Sequence, residues 1–192
     1  MYFGLSEDQI FFQDNVKKFL EDQLTLDTVK KITEGEDDLA KEELHKGLIN
    51  LGINNILIPE EYGGLGLDLL FATAVSQSLG EGVATLPFLG PYIVAPTAIK
   101  YGASDNQKEK LFADMCENLI NFGIGFSEYF GSRDSSGLNI SDNKVTGKTL
   151  FVLDTDFASH VMIADNKGQI GIVSLDSNDI EMIDLTTVDK TR

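Results

Sequence analysis

The 192-residue sequence is poor in several residue types: it has one cysteine, no tryptophan, four prolines, and 15 lysines and arginines against 31 aspartates and glutamates. Because Cys116 is alone, it can form no internal disulfide and can supply no thiol pair to a metal. Apolar runs are also short, and none approaches the roughly 20 residues that a helix needs to cross a bilayer. The sequence therefore predicts a protein without disulfides and without a membrane span.

The shortage of basic residues also excludes a large class of partners. A formal net charge of −16 repels phosphate backbones, so we expect no binding to nucleic acid. His45 and His160 are isolated from each other and from the cysteine, which argues against a zinc site, and we expect no metal. The N-terminal stretch MYFGLSEDQ lacks the basic region and apolar core of a secretory signal, so a cytoplasmic location is expected.

What the sequence does contain is a hydrophobic share of 42% and a charged share of 24%, as in an ordinary globular protein. Its first half has the apolar periodicity of helices, and a capping box at Ser6 and Gln9 predicts where the first helix begins. The first predicted helix carries Ile10, Phe11, Val16, Phe19, Leu20 and Leu24, and the next carries Leu39, Leu44, Leu48 and Ile49. A third runs from about Asp68 to Leu79, and a later one follows a cap at Ser104 or Asp105.

After about Leu119 the pattern changes to short β-rich runs separated by turn signals. Helices followed by strands indicate an α+β fold in which the two kinds of element are segregated. We therefore predict an N-terminal all-α domain at residues 1–119 and a partial antiparallel β-barrel or sandwich at residues 120–192. The last residues, TTVDKTR, supply no element that would close such a sheet, so we expect the chain to be part of a larger protein.

Two segments combine residues that suit a site, although the sequence has no self-contained catalytic signature such as G-x-S-x-G, a P-loop or a Cys–His pair. IPEEYGGLGL, at residues 58–67, clusters Gly63, Gly64 and Gly66 and is typical of a connection between helices. The second segment, residues 123–137, places hydroxyls and backbone N–H groups at the end of a predicted strand. Such a segment suits a cofactor ring or a phosphate, and by composition alone it suits an ordinary polar hairpin better.

Taken in order, six segments resemble the acyl-CoA dehydrogenase family: LSEDQ, IPEEYGGLGLD, LGEGVATLPFLGP, YGASDNQKEKLF, SEYFGSRD and GKTLFVLD. The second is the most specific, because it matches the family's P-E-x-Y-G-G-x-G loop. The resemblance covers essentially the whole chain. It implies an N-terminal helical domain, a middle β domain and a C-terminal four-helix domain, of which this chain would hold the first two, roughly half of a usual member.

The resemblance also implies cofactor-binding residues. Ser127 and Glu128 match the start of the family's flavin-contacting T-E-P-G-A-G-S-D strand, so Phe126 and Ser127 are expected at the flavin. The family's W-[IV]-[TS]-N strand corresponds here to Phe-Val-Leu-Asp. Phe151 would therefore stack on the flavin, while Leu153 lacks the hydroxyl of the family residue and would offer only its backbone N–H.

A substrate contact and three departures complete this comparison. Ser132 matches the family serine that contacts the CoA thioester arm, so it is expected to bind substrate. Tyr129 replaces the family's proline, Arg133 stands at its aspartate, and the loop is one residue short. These changes, with the leucine at residue 153, slightly favour a non-catalytic relative.

The activity that the resemblance implies is FAD-dependent α,β-dehydrogenation of an acyl-CoA, with electrons passed to an electron-transfer flavoprotein or similar acceptor. The family's catalytic base is a glutamate of the C-terminal domain, so no residue of this chain is assigned as catalytic. We expect a homo-oligomer or association with the missing C-terminal half. The alternatives are a non-catalytic module that binds acyl-CoA or a partner protein, and a flavin monooxygenase or acyl-CoA oxidase on the same fold.

Overall fold

The structure, a computed structural model, describes residues 4–131 and 136–185 of the chain. Within these ranges most of the helices precede the strands, and a single short helix lies between the first two strands, which confirms the predicted α+β class. The chain divides into two compact units, one extending through Leu86 and the other covering Pro87–Asp184. The second unit holds the last helices together with the sheet, and the domain boundary suggested by the sequence near residue 119 stays a prediction.

The described part of the first unit is built on α-helices. They are α1 (Glu7–Gln23), α2 (Leu26–Thr33), α3 (Asp38–Asn50) and α4 (Leu69–Glu81). The capping box of α1 is confirmed, since the Gln9 N–H donates to Ser6 Oγ at 3.2 Å and the Ser6 N–H donates to Gln9 Oε1 at 2.8 Å. Helix α4 begins next to Asp68, close to the predicted start, and Asp68 caps it by accepting the Phe71 N–H at 2.9 Å. Helix α2 was not predicted, because eight residues are too few to show a clear period.

The buried face of α1 differs from the one that its apolar pattern suggests. The buried residues of α1 are Gln9, Gln13, Val16 and Leu20. Their spacing of three to four places them on one side of the helix. Ile10 and Phe11 follow Gln9 directly, which turns them about 100° to 200° away from that side, and both are exposed. Gln13 can be buried because its Nε2 donates to the Ala74 carbonyl of α4 at 3.0 Å.

The segment at residues 58–67 forms a tight corner between α3 and α4, as predicted. Its backbone folds back on itself, and the Gly66 N–H donates to the Ile58 carbonyl at 2.8 Å. Gly63 and Gly66 have φ angles of 91° and 61°, in the left-handed region that favours glycine. At Gly64 an added Cβ would collide with the Ile58 carbonyl oxygen. The glycines are therefore explained by the turn itself.

The second unit contains short helices and two groups of strands. Its helices are a π-helix at Gly90–Val94 that continues into α5 (Ala95–Gly102), then α6 (Asp105–Cys116) and α7 (Ser127–Phe130). Its strands are β1 (Phe122–Gly125), β2 (Gly137–Ser141), β3 (Lys144–Lys148), β4 (His160–Ala164) and β5 (Ile170–Ser174). No helix in the described ranges is long and apolar enough to cross a membrane.

The strands form a mixed sheet and a separate hairpin. In the sheet the order is β1-β4-β5, with β1 parallel to β4 and β4 antiparallel to β5. Strands β2 and β3 pair with each other as an antiparallel hairpin. The parallel pair differs from the run of antiparallel strands that the sequence suggests. It can form because the connection from β1 to β4 is long enough for the chain to return in the same direction.

The glycine at the centre of the corner gives a test of this packing. Gly64→Ala should lower the free energy of unfolding by about 2 kcal/mol or more, since the added Cβ would lie against backbone that cannot move freely. Gly80→Ala is the matched control, because Gly80 is exposed in α4 with no atom within 4 Å of its added Cβ. We expect the control to raise stability by about 0.5–1 kcal/mol. Urea unfolding followed by circular dichroism measures both, and equal midpoints would contradict the packing described.

A buried histidine gives the first unit a dependence on pH. Burial lowers the pKa of His45 on α3, and the charge of Lys46 lowers it further. Because the unfolded chain then binds the proton more readily, the stability contributed by neutral His45 is complete above about pH 6.5 and is lost as the pH falls below that value. We expect the free energy of unfolding to fall as the pH drops below about 6.5, and His45→Gln to flatten that fall.

The control for this prediction is the other histidine of the chain. Burial also lowers the pKa of His160, while the charges of Asp176 and Asp114 act in the opposite direction. His160→Gln should therefore change the slope less than His45→Gln does. A slope unchanged in His45→Gln would show that another group causes the acid sensitivity.

Candidate functional site

The second unit brings the described residues of the predicted flavin site to the end of β1. Phe126 follows that strand directly, and Ser127 opens α7. Ile124 of β1 and Leu153 pair as an isolated antiparallel bridge, with two N–H···O bonds of 2.9 Å. This bridge places Leu153, and with it the nearby Phe151, beside the end of β1. Four of the predicted site residues thus lie in one region, while the predicted substrate contact at residue 132 lies outside the described residues.

The Ser127 hydroxyl is held inside the protein. Its Oγ lies 2.6 Å from the Leu150 carbonyl oxygen and 3.2 Å from Glu128 Oε1. A hydroxyl has a single proton to donate, and the shorter contact takes it. Ser127 therefore donates to Leu150, and its oxygen keeps the capacity to accept a bond from another group.

Leu153 and Phe151 present apolar surface rather than donors. The backbone N–H of Leu153, which the family resemblance left as a possible flavin donor, donates to the Ile124 carbonyl in this structure. The side chains of Phe151 and Leu153 are 54% and 53% exposed. Half-exposed aromatic and aliphatic groups at the end of a strand can cover a flat ring.

The backbone around these residues is strained. Phe151, Asp154 and Phe157 have φ angles of 55°, 57° and 60°, a region that bulky residues rarely adopt. Each such residue costs on the order of 1–2 kcal/mol, and strain of this kind collects at functional sites. The conformation must therefore be held by contacts elsewhere in the unit.

Two buried polar side chains in this region were not assigned a role from the sequence. Glu128 is only 3% exposed, and Ser136 Oγ donates to its Oε2 at 2.8 Å. Thr149 Oγ1 is buried and has no hydrogen-bond partner among the described residues. It faces the end of β1, since a Cβ built on Gly125 would lie 3.4 Å from it. Thr149 belongs to the GKTLFVLD segment, but its burial depends on a strand that is distant in sequence.

A third group that sequence reasoning missed is Asp154. Its Oδ2 accepts the Gly90 N–H at 2.6 Å. Tyr92, two residues further along the π-helix, is buried, and burial together with the charge of Asp154 raises the pKa of that tyrosine above its usual value. In the sequence, Asp154 is only the last position of the segment that corresponds to the family's W-[IV]-[TS]-N strand. That position does not indicate a hydrogen bond to Gly90.

A separate cleft of about 460 Å³ lies elsewhere in the same unit. It is lined by Gln107, Lys110, Leu111, Asp114, Leu119, Ile120, His160 and Ile172. None of the predicted site residues that the structure describes lines this cleft, so the site at the end of β1 and the cleft are distinct features.

The residues at the end of β1 fit the cofactor that the family resemblance implies. Exposed apolar surface from Phe151 and Leu153 suits a flat aromatic ring. The Ser127 oxygen and the unpaired Thr149 hydroxyl suit polar atoms at the edge of such a ring. Within the described residues the buried Thr149 hydroxyl has no partner, so it is free to bond to a polar atom of a bound ring.

Comparison with known proteins agrees with this fold. Residues 6–118 match the acyl-CoA dehydrogenase N-terminal domain family. The chain is 29% identical over 112 residues to acyl-CoA dehydrogenase FadE26 of Mycobacterium tuberculosis, covering 55% of this chain and 28% of that protein. It is 26% identical over 143 residues to mitochondrial isovaleryl-CoA dehydrogenase of Bos taurus, covering 73% of this chain and 33% of that protein.

A solved structure shows the same architecture. The acyl-CoA dehydrogenase from Bacillus anthracis, determined in complex with FAD, matches with a TM-score of 0.72 at 16% identity, over 97% of this chain and 35% of that one. The helices and sheet of the present chain are thus those of the acyl-CoA dehydrogenase fold. Since the family match covers more than half of the chain, the protein belongs to the acyl-CoA dehydrogenase family. The matched regions cover only 28%, 33% and 35% of the lengths of these three proteins.

The unpaired hydroxyl leads to a prediction about stability. Thr149→Val should raise the free energy of unfolding by about 1 kcal/mol, because it removes a buried hydroxyl without a partner and keeps the side-chain shape. Thr146→Val is the control, since Thr146 is exposed on β3 and the change there should stay within about 0.5 kcal/mol. Both are measured by urea unfolding without ligand. A loss of stability in Thr149→Val would mean that the hydroxyl has a partner.

Proposed function

We propose that this chain forms the FAD-binding part of an acyl-CoA dehydrogenase that oxidises the Cα–Cβ bond of an acyl-CoA thioester. The observation that carries the proposal is the meeting of exposed apolar surface with an unpaired buried hydroxyl at the end of β1. Family membership supports it, as does the fold shared with an acyl-CoA dehydrogenase solved with FAD.

In this proposal each described residue has a separate task. Phe126, Phe151 and Leu153 pack against the flavin ring and exclude water from it. Ser127 and Thr149 meet polar atoms at the edge of the ring through their hydroxyl groups. When bound, FAD supplies the two-electron acceptor that amino-acid side chains lack. The predicted contact of Ser132 with the thioester arm belongs to the same proposal.

The base that removes the α-proton is not assigned to a residue of this chain. Glu128 is buried, and its two carboxylate oxygens already lie within hydrogen-bond distance of Ser127 and Ser136. A carboxylate held in this way is poorly placed to reach a substrate. We expect the base in the C-terminal helical domain of the family. The acyl-CoA substrate, an electron-transfer flavoprotein or similar acceptor, and a homo-oligomer or the C-terminal half as partner are part of this proposal.

A non-catalytic module that binds acyl-CoA is the second candidate. It is favoured because the Ser127 hydroxyl and the Leu153 N–H already donate hydrogen bonds to carbonyl groups of the protein, so neither is free to donate to a flavin. A chain of this kind would bind an acyl-CoA and would not retain FAD. The two functions therefore differ in the binding of FAD, which can be measured directly.

Titration with FAD tests the proposal. The purified chain should bind FAD, with quenching of flavin fluorescence, and Phe151→Ala should weaken binding about tenfold because it removes the largest apolar contact. Ser127→Ala should weaken it about threefold, the effect of one neutral hydrogen bond. Phe11→Ala is the matched control, because Phe11 is a 70% exposed phenylalanine of α1 and its removal should leave affinity unchanged.

Three outcomes of this titration are distinct. Binding of FAD that weakens only in the two site variants supports the proposed site. Equal affinities in all variants would place the flavin elsewhere in the chain. Binding of a short-chain acyl-CoA without any binding of FAD would overturn the proposal in favour of the non-catalytic module.

A further inference from the structure

We propose that Asp154 is the positioning residue that fixes the 151–157 segment, and with it the apolar surface of the site, by anchoring that segment to the helix at Gly90. That the ligand of this surface is FAD rests on the function proposed above. The anchoring itself rests on contacts of the second unit alone.

The anchor is a strong hydrogen bond between parts of the chain that are distant in sequence. Asp154 Oδ2 accepts the Gly90 N–H at 2.6 Å across 64 positions of sequence. Gly90 stands in the first turn of a helix that runs on through α5, where N–H groups have no acceptor inside the helix. A carboxylate at such a helix start gains from the charge-assisted bond and from the helix dipole.

The contact also requires glycine at its other end. A Cβ added to Gly90 would lie 2.9 Å from Ile124 Cγ1 and 3.1 Å from both Cβ and Oδ2 of Asp154. Because Ile124 is the bridge partner of Leu153, the helix start, β1 and the segment meet at this one point. A larger residue at position 90 would push the three apart.

The segment needs such an anchor because its backbone is strained. Three of its residues, Phe151, Asp154 and Phe157, have left-handed φ angles, and a chain free to relax would leave this conformation. Leu153 is held by its two bonds to Ile124, and Asp154 is held by Gly90. Loss of the second hold would leave the segment less firmly fixed on the side of Asp154, and we expect Phe151 to become more mobile.

The test uses the absence of tryptophan from the chain. Phe151→Trp introduces one fluorescent reporter on the segment, in a full-length protein that is otherwise unchanged. In that background, Asp154→Ala should lower the fluorescence anisotropy of the tryptophan and raise its quenching by acrylamide. Asp154→Asn keeps an oxygen that accepts the Gly90 N–H and should restore most of both values. Asp176→Ala removes an exposed carboxylate of the same unit and should change neither.

Hydrogen exchange of the Gly90 amide measures the bond itself. In Asp154→Ala this amide should exchange at least about tenfold faster than in the parent, the effect expected from loss of one bond to a charged group. Gly90→Ala, read by the tryptophan reporter, should reproduce the loosening with Asp154 still present. This second variant keeps the test decisive if Asp154→Ala does not fold.

Affinity for FAD separates the anchor from the proposed function. If the parent protein binds FAD, Asp154→Ala should weaken binding about tenfold, and Asp154→Asn should stay within about threefold of the parent. A parent that binds no FAD would overturn the proposed function. The tryptophan fluorescence and the exchange rate of the Gly90 amide would still show whether Asp154 anchors the segment. Unchanged anisotropy, quenching and Gly90 exchange in Asp154→Ala would overturn the anchor.

Discussion

The pairing of Ile124 with Leu153 is the interaction on which the candidate site depends. Two backbone bonds of 2.9 Å bring the 151–157 segment against the end of β1. Together with the bond from Ser127 to the Leu150 carbonyl, this bridge brings the apolar surface of Phe151 beside the hydroxyl of Ser127. The same bonds use the Leu153 N–H, so the interaction that assembles the site also removes one donor from it.

A second constraint comes from the buried polar groups around this bridge. Glu128 and Asp154 carry carboxylates that would cost several kcal/mol if they were buried without partners. Glu128 accepts a bond from the Ser136 hydroxyl and Asp154 accepts one from the Gly90 N–H, so each carboxylate ties two pieces of chain together. Thr149 departs from this rule within the described residues. Asn54 Oδ1, Asn55 Oδ1 and Thr85 Oγ1 are also buried and unpaired within the described residues, and Thr149 differs from them in lying beside the proposed flavin site.

The helix starts of this fold could be predicted from sequence because they are local. Ser6 and Asp68 cap the helices that follow them within three residues, and the sequence shows both ends of each bond. The parallel pairing of β1 with β4 and the use of the Leu153 N–H depend on partners distant in sequence, which no periodicity reveals. The family resemblance placed Phe151 and Ser127 in one site. It could not show which of their polar neighbours were already bonded.

The hydrogen bonds inside the proposed site restrict the ligands that it can accept. Ser127 gives its proton to Leu150, so its oxygen suits a ligand N–H, whereas the Thr149 hydroxyl can donate to a ligand carbonyl. The edge of a flavin ring carries both kinds of group, and it could satisfy both without breaking a bond of the protein. A ligand edge that carries acceptors alone would have to take the Ser127 proton from Leu150, leaving that carbonyl unpaired at a cost of about 1–3 kcal/mol. The bond from Ser127 to Leu150 is therefore compatible with a bound flavin. It disfavours ring ligands whose edges carry hydrogen-bond acceptors and no donors.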